Sequence, residues 1–193
     1  GVEEEFLLVD PLTGEPVPRN ADVARYAGER GVDLQLELTT CQVETATDKA
    51  DTSSQLREQI TRLRRLAADA SSAAGATLLA VGLPPTVPRH FPITDTPRYH
   101  QIAERFGMIA HEQGICGCHV HVEVPDRDAA IAVSNRLRPW LPLLLALTAN
   151  SAIYRNADTG YASWRSVLWA RWPSAGPPPH LESTAHYDAV VAM

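Results

Sequence analysis

The residues of this chain best suited to chemistry are carboxylates and imidazoles embedded in strand-like segments. The first segment is Gly1-Val2-Glu3-Glu4-Glu5-Phe6-Leu7-Leu8-Val9. Side chains alternate along a strand, so Glu3 and Glu5 share a face with Leu7 and Val9, while Glu4 shares the other with Phe6 and Leu8. Two like charges flanked by aliphatic residues are costly unless something positive lies between them. A hard divalent cation such as Mg²⁺ or Mn²⁺ fits, because it takes carboxylate oxygens. The plain alternative is a solvated edge strand carrying a run of charge.

A second segment, Asp33-Leu34-Gln35-Leu36-Glu37-Leu38-Thr39-Thr40, also alternates and predicts a strand. Glu37 lies on its polar face, and Glu44 follows in Gln42-Val43-Glu44-Thr45-Ala46-Thr47. In one straight strand an odd separation places the two glutamates on opposite faces. They converge only if Thr39-Thr40-Cys41 bends; otherwise they are unrelated surface residues. A third segment, Cys116-Gly117-Cys118-His119-Val120-His121-Val122-Glu123-Val124, splits into an apolar face and a polar one. The apolar face holds Cys116, Cys118, Val120, Val122 and Val124. The polar face holds Gly117, His119, His121 and Glu123. Two histidines on one strand face suit metal or phosphate binding. A zinc site that also uses the cysteines fails on geometry, since a strand points them away from the imidazoles.

The order of these segments, a Glu-x-Glu strand, a bend with two glutamates and a His-x-His strand, resembles the ATP-dependent carboxylate–amine ligases with a glutamine synthetase-like catalytic fold. Within them it is most similar to the glutamate–cysteine ligase type 2 family. Three later stretches fit as well: Leu147-Thr148-Ala149-Asn150-Ser151, Asp158-Thr159-Gly160-Tyr161-Ala162-Ser163-Trp164-Arg165 and Arg171-Trp172-Pro173. The resemblance implies that ATP converts a carboxylate into an acyl phosphate, which an amine attacks to form an amide. It implies a cation held by Glu5, Glu37 and Glu44, a second held by Glu3 and His119, and His121 near the ATP phosphates. It gives Arg165 to the carboxylate substrate as a catalytic and binding residue, with Tyr161 shaping the pocket and Asn150 donating a hydrogen bond. The alternative for Arg165 is a brace paired with Asp158. The cofactors implied are ATP and Mg²⁺ or Mn²⁺. The partners implied are carboxylate and amine substrates of amino-acid type, with glutamate and cysteine the family's named pair.

Members of that family are nearly twice this length. The expectation is therefore one domain over 1–193 forming the N-terminal part of a longer ligase catalytic domain, and no turnover by this part alone. The implied fold is α+β, with a curved, largely antiparallel sheet whose helices cover one face, like a glutamine synthetase catalytic domain. Strands one and three support it, because doubly wound parallel strands are apolar on both faces.

The 193 residues, 45% hydrophobic and 21% charged, are ordinary for a globular chain. The net charge of −6 argues against nucleic acid as a partner. Three cysteines do not make a disulfide framework, so a cytoplasmic location is expected. The apolar run Leu141–Ala149 is too short to span a bilayer. A homo-oligomer is compatible with all of this. Asp51-Thr52 is expected to cap a helix with a stripe at Leu56, Ile60, Leu63 and Leu66, ended by Gly75, and Arg57, Arg62, Arg64 and Arg65 its solvated face. Thr77–Leu83 predicts a strand, and the proline-rich stretch 84–97 an ordered loop or lid. One helix is expected over 97–112, others after Asp126, Pro139 and about Ser183. Two further function classes use the same residues: a metal-dependent hydrolase that needs no nucleotide, and a non-catalytic binding scaffold.

Overall fold

The Glu-x-Glu segment is the central strand β1 (Val2–Val9) of a five-stranded antiparallel sheet in the computed structural model, which describes residues 1–193. On one side β1 pairs with β3 (Gln42–Ala46), which pairs in turn with the short β2 (Gln35–Leu36). On its other side two strands share its length. Strand β4 (Thr77–Leu79) takes Leu7–Val9, and β5 (Cys118–Val120) takes Val2–Glu4. The architecture is α+β, as expected.

Alternation along β1 builds two different faces. Phe6 and Leu8 pack with Val43 against helix α1 (Asn20–Gly28) and helix α2 (Ser53–Ala73), through Val23, Ala27, Leu63, Ala67 and Ala70. Burying Phe6, Leu8 and Val43 stabilises this layer by about 1.5–3 kcal/mol each. Helix α2 begins with a capping box between Thr52 and Gln55 and stops before Gly75, whose φ of +73° an L residue resists. Helix α1 has no counterpart in the sequence expectations, and its first residue follows Arg19, which makes no side-chain cap.

On the opposite face Leu7 and Val9 are covered by Cys41, Phe91 and Cys116, not by helices. The proline-rich stretch therefore lies ordered over the C-terminal half of β1. At the N-terminal half of that face Glu3 and Glu5 are partly buried and outside the apolar clusters, beside the exposed His119 and His121.

Several expectations change. Strands β2, β4 and β5 are shorter than alternation suggests. The helix expected over 97–112 is broken at Gly107 (φ +52°) into α3 (Pro97–Phe106) and α4 (Met108–His111). Cys116 and Cys118 do not share a buried face. Cys116 packs beside Phe91, whereas Cys118, Val120 and Val122 are exposed. The helix layer reaches Glu4 through Arg64 and leaves this strip of the sheet uncovered. Arg64 stays exposed, as expected, yet it also reaches the sheet: its Nε donates to Glu4 Oε2 at 2.8 Å and its Nη2 to Oε1.

Contacts divide the chain into two compact units, residues 1–121 with 150–168, and residues 122–149 with 169–193. The first contains the sheet, a β-hairpin of β6 (Ile153–Tyr154) and β7 (Ala157–Asp158), and the start of α7 (Trp164–Trp169). The second contains α5 (Arg127–Leu137), a 3₁₀ turn (Arg138–Trp140), α6 (Leu141–Thr148) and α8 (Thr184–Val191). There Asp126 and Ser183 cap α5 and α8, Arg127 pairs with Asp188, and Asn135 exchanges two hydrogen bonds with the backbone of Leu181. No helix is long and apolar enough to cross a membrane.

Candidate active site on the open sheet face

Register decides which side chains meet. Glu5 lies opposite Glu44 across the β1–β3 ladder, and Glu3 opposite His119 across β1–β5. Residues directly opposite project to the same side, so Glu3, Glu5, Glu44 and His119 share the open face. The β2–β3 hairpin resolves the spacing of Glu37 and Glu44. Thr39–Cys41 turns the chain, Gln35 pairs with Glu44, and Glu37 comes close enough to Glu5 and Glu44 for their charges to act on it, while its Oε2 accepts the Leu38 N–H.

The geometry is close. His119 Nδ1 lies 3.4 Å from Glu3 Oε2 and 3.8 Å from Glu44 Oε1, and its Nε2 lies 3.9 Å from Glu5 Oε1. His121 Nε2 sits 2.8 Å from Glu3 Oε2. Two groups have ligand atoms close enough for one cation each: Glu3 with His119 and His121, and Glu5 with Glu44 and His119. His119 belongs to both. Glu37 falls outside these groups and backs Glu44, while His121 is engaged by Glu3.

The electrostatics follow from burial and crowding. Burial, then the charges of Glu5 and Glu44, pushes Glu37 up to about 7. Burial, then Glu3 and Glu5, pushes Glu44 up to about 7. The hydrogen bond from His121 holds Glu3 below the usual carboxylate range. Such a face gains from a positive charge that neutralises it. Hard oxygens with one or two imidazoles suit Mg²⁺ or Mn²⁺. The cysteines do not join: burial pushes Cys116 up to about 12 and Cys41 to about 11, so both stay thiols.

The segment Ile115–Gly117 ties the face to the later motif. Buried Gln42 donates through Nε2 to the Ile115 carbonyl at 2.9 Å. Gly117 N–H donates to Glu5 Oε2 at 2.8 Å, and its carbonyl accepts the Glu5 N–H. Arg165 Nε donates to the Cys116 carbonyl at 3.1 Å, and its backbone N–H to Ser151 Oγ. Arg165 is therefore one peptide away from the group that orients Glu5. It makes no brace with Asp158, which accepts the Gly160 N–H instead. Asn150 and Arg165 both lie against Gly82, where a Cβ would come within 2.5 Å of Asn150 Oδ1. Tyr161 is exposed, its ring 5.2 Å from that of Trp164, and stands outside the hydrogen-bonded cluster.

Gly117, Gly82 and the Cys116 carbonyl are site features absent from the sequence expectations. A glycine inside an alternating polar face was the available signal for Gly117, because it marks close approach.

The model of the glutamate–cysteine ligase family 2 matches residues 1–193. The chain is 74% identical to "Putative glutamate–cysteine ligase 2-2" of Mycolicibacterium vanbaalenii over all of its own length and 53% of that protein's. It is 74% identical to the 2-3 protein so named in Mycolicibacterium smegmatis (100% of this chain, 53% of that protein), and 67% to the 2-1 protein of Nocardia farcinica (100% and 50%). It spans about half the length of these curated relatives. A crystal structure of a bifunctional glutathione synthetase from Pasteurella multocida superimposes with a TM-score of 0.67 at 16% identity, over 97% of this chain and 30% of that one, which shows a shared fold. The chain belongs to the glutamate–cysteine ligase family 2.

Proposed function

We propose that this chain carries the carboxylate–imidazole part of the active site of an ATP-dependent carboxylate–amine ligase. The reaction joins two amino-acid substrates through an acyl phosphate, and the names of its relatives favour glutamate and cysteine. The observation that carries the reading is the open face of Glu3, Glu5, Glu44 and His119, with Glu37 behind Glu44. Bound Mg²⁺ or Mn²⁺ would neutralise charge on the phosphate oxygens during transfer.

The residues divide the work. Glu5 and Glu44 would hold one cation and Glu3 with His121 a second, with the single lone pair of His119 available to one of them. Glu37, close to Glu5 and Glu44, adds to the negative charge that a cation would neutralise. His121, more than half exposed at the edge of the face, is placed to meet the nucleotide phosphates. Arg165, fixed by the Cys116 carbonyl through Nε, keeps its terminal nitrogens for a substrate carboxylate, a fork that lysine cannot reproduce. Asn150 beside it supplies a further polar contact.

The test is phosphate release by the full-length protein, with ATP, Mg²⁺ or Mn²⁺, and pairs of amino acids. Release that needs both an amino-acid carboxylate and an amine is expected. Substrate turnover without nucleotide would show a metal-dependent hydrolase instead. Cation binding without any ATP turnover across the pairs would show a binding scaffold.

A further inference from the structure

Gly117 stands opposite Glu5, just ahead of β5, with its missing side chain directed into the carboxylate face. A Cβ there would meet His119 Nε2 at 2.7 Å, His119 Cε1 at 3.2 Å and Glu5 Oε1 at 3.3 Å. The His119 ring therefore leans back over the Gly117 backbone. That tilt aims Nε2 toward Glu5 and Nδ1 toward Glu3 and Glu44. Backbone conformation does not demand glycine here, because Gly117 is not among the positive-φ residues. Nor does it face packed backbone, since its close neighbours are the ends of movable side chains, and half of His119's side-chain surface is open to solvent.

We propose that Gly117 is a positioning residue: the absence of a side chain lets the His119 imidazole lie among Glu3, Glu5 and Glu44, within reach of either cation position. This rests on the cation-binding reading above. Any larger residue swings the ring outward, away from Glu5 and Glu44, without disturbing the sheet. The consequence differs from that of losing a core glycine. At Gly114 a Cβ would strike the buried Phe91 ring at 2.5 Å, and the core itself would have to give.

The experiment uses Gly117→Ala, His119→Ala and the double variant in the full-length protein, with Mn²⁺ as the probe. The denaturation midpoint in chelator is measured beside each Mn²⁺ titration. Gly117→Ala is expected to weaken Mn²⁺ binding about tenfold or more, the scale of mispositioning a metal ligand, with an unchanged midpoint. It should have no further effect when His119 is already Ala. Equal Mn²⁺ affinity in the parent and Gly117→Ala overturns the proposal. So does a loss that persists in the His119→Ala background, or a midpoint that falls. If the parent binds no Mn²⁺, the cation reading fails separately. The His119 imidazole ¹⁵N resonances then decide on Gly117, with identical positions in the parent and Gly117→Ala refuting it.

Discussion

Replacing Glu44 with Gln should make the cation-free protein more stable at pH 8 while making it a poorer cation binder. Glu44 is buried, and burial followed by the Glu3 and Glu5 charges raises it from an ordinary 4.5 to about 7. The folded state thus keeps a proton that the unfolded chain has released. Its contribution is fully present below pH 4.5, declines as pH rises toward 7, and is then lost. At about 1.4 kcal/mol per pH unit over that interval, the folded protein gives up about 2–3 kcal/mol, allowing for solvent at the open face. Glutamine is neutral throughout, so it avoids the loss. Chemical denaturation in chelator at pH 5 and pH 8 reads this directly. The parent should lose stability between the two, and Glu44→Gln should lose less, by about 2–3 kcal/mol. With saturating Mn²⁺ the order should reverse, because ligand binding stabilises only the form that holds it. Parallel pH profiles for the two proteins would show that Glu44 does not retain a proton in the folded state, and the electrostatic account of this face would fall with it.

Glu5→Gln in the full-length protein should abolish ATP-dependent phosphate release with the fold intact, as seen by circular dichroism; retained turnover would remove Glu5 from the reaction. Arg165→Lys should raise the KM for the carboxylate substrate strongly and leave that for ATP nearly unchanged, whereas a fall in thermal stability with an unchanged KM would make Arg165 a structural brace. Arg64→Ala leaves the Glu4 carboxylate, 11% exposed, without its bidentate partner. It should cost about 1–3 kcal/mol in urea denaturation at pH 7, since half of Arg64 is already in water; no change would show that solvent compensates Glu4 fully.

How much of this was legible in the sequence depends on range. Alternation along residues 2–9 is a local property, and it correctly sorted Phe6 and Leu8 from Leu7 and Val9 onto two faces. Capping at Thr52, Asp126 and Ser183 is local too, and those helix starts were readable. Register is not local. That Glu5 faces Glu44, and Glu3 faces His119, follows from pairing between segments about 40 and 116 residues apart. The sequence carried the candidates but not the distances. Cys118 shows the converse failure, since an apolar alternation was present but no layer covers it. Gly107 was equally opaque, because a glycine inside a helical pattern is often tolerated and here ends the helix instead.

Glu4 and Glu5 illustrate why neighbouring identical residues diverge. One residue apart, they project to opposite faces and meet opposite solutions to the same problem of charge near an apolar layer. Glu4 enters the helix side, where a covalently attached cation, the Arg64 guanidinium, neutralises it permanently. Glu5 enters the open side, where its oxygens meet only the Gly117 N–H at hydrogen-bonding distance and an imidazole at 3.9 Å. A carboxylate satisfied by arginine has little reason to release it. One held by a single amide retains lone pairs and orientation together, which is what an exchangeable cation requires. The same sheet thus separates an arginine-paired carboxylate from one without a cationic side chain at hydrogen-bonding distance, and the pleat together with the helices on a single side makes that separation possible.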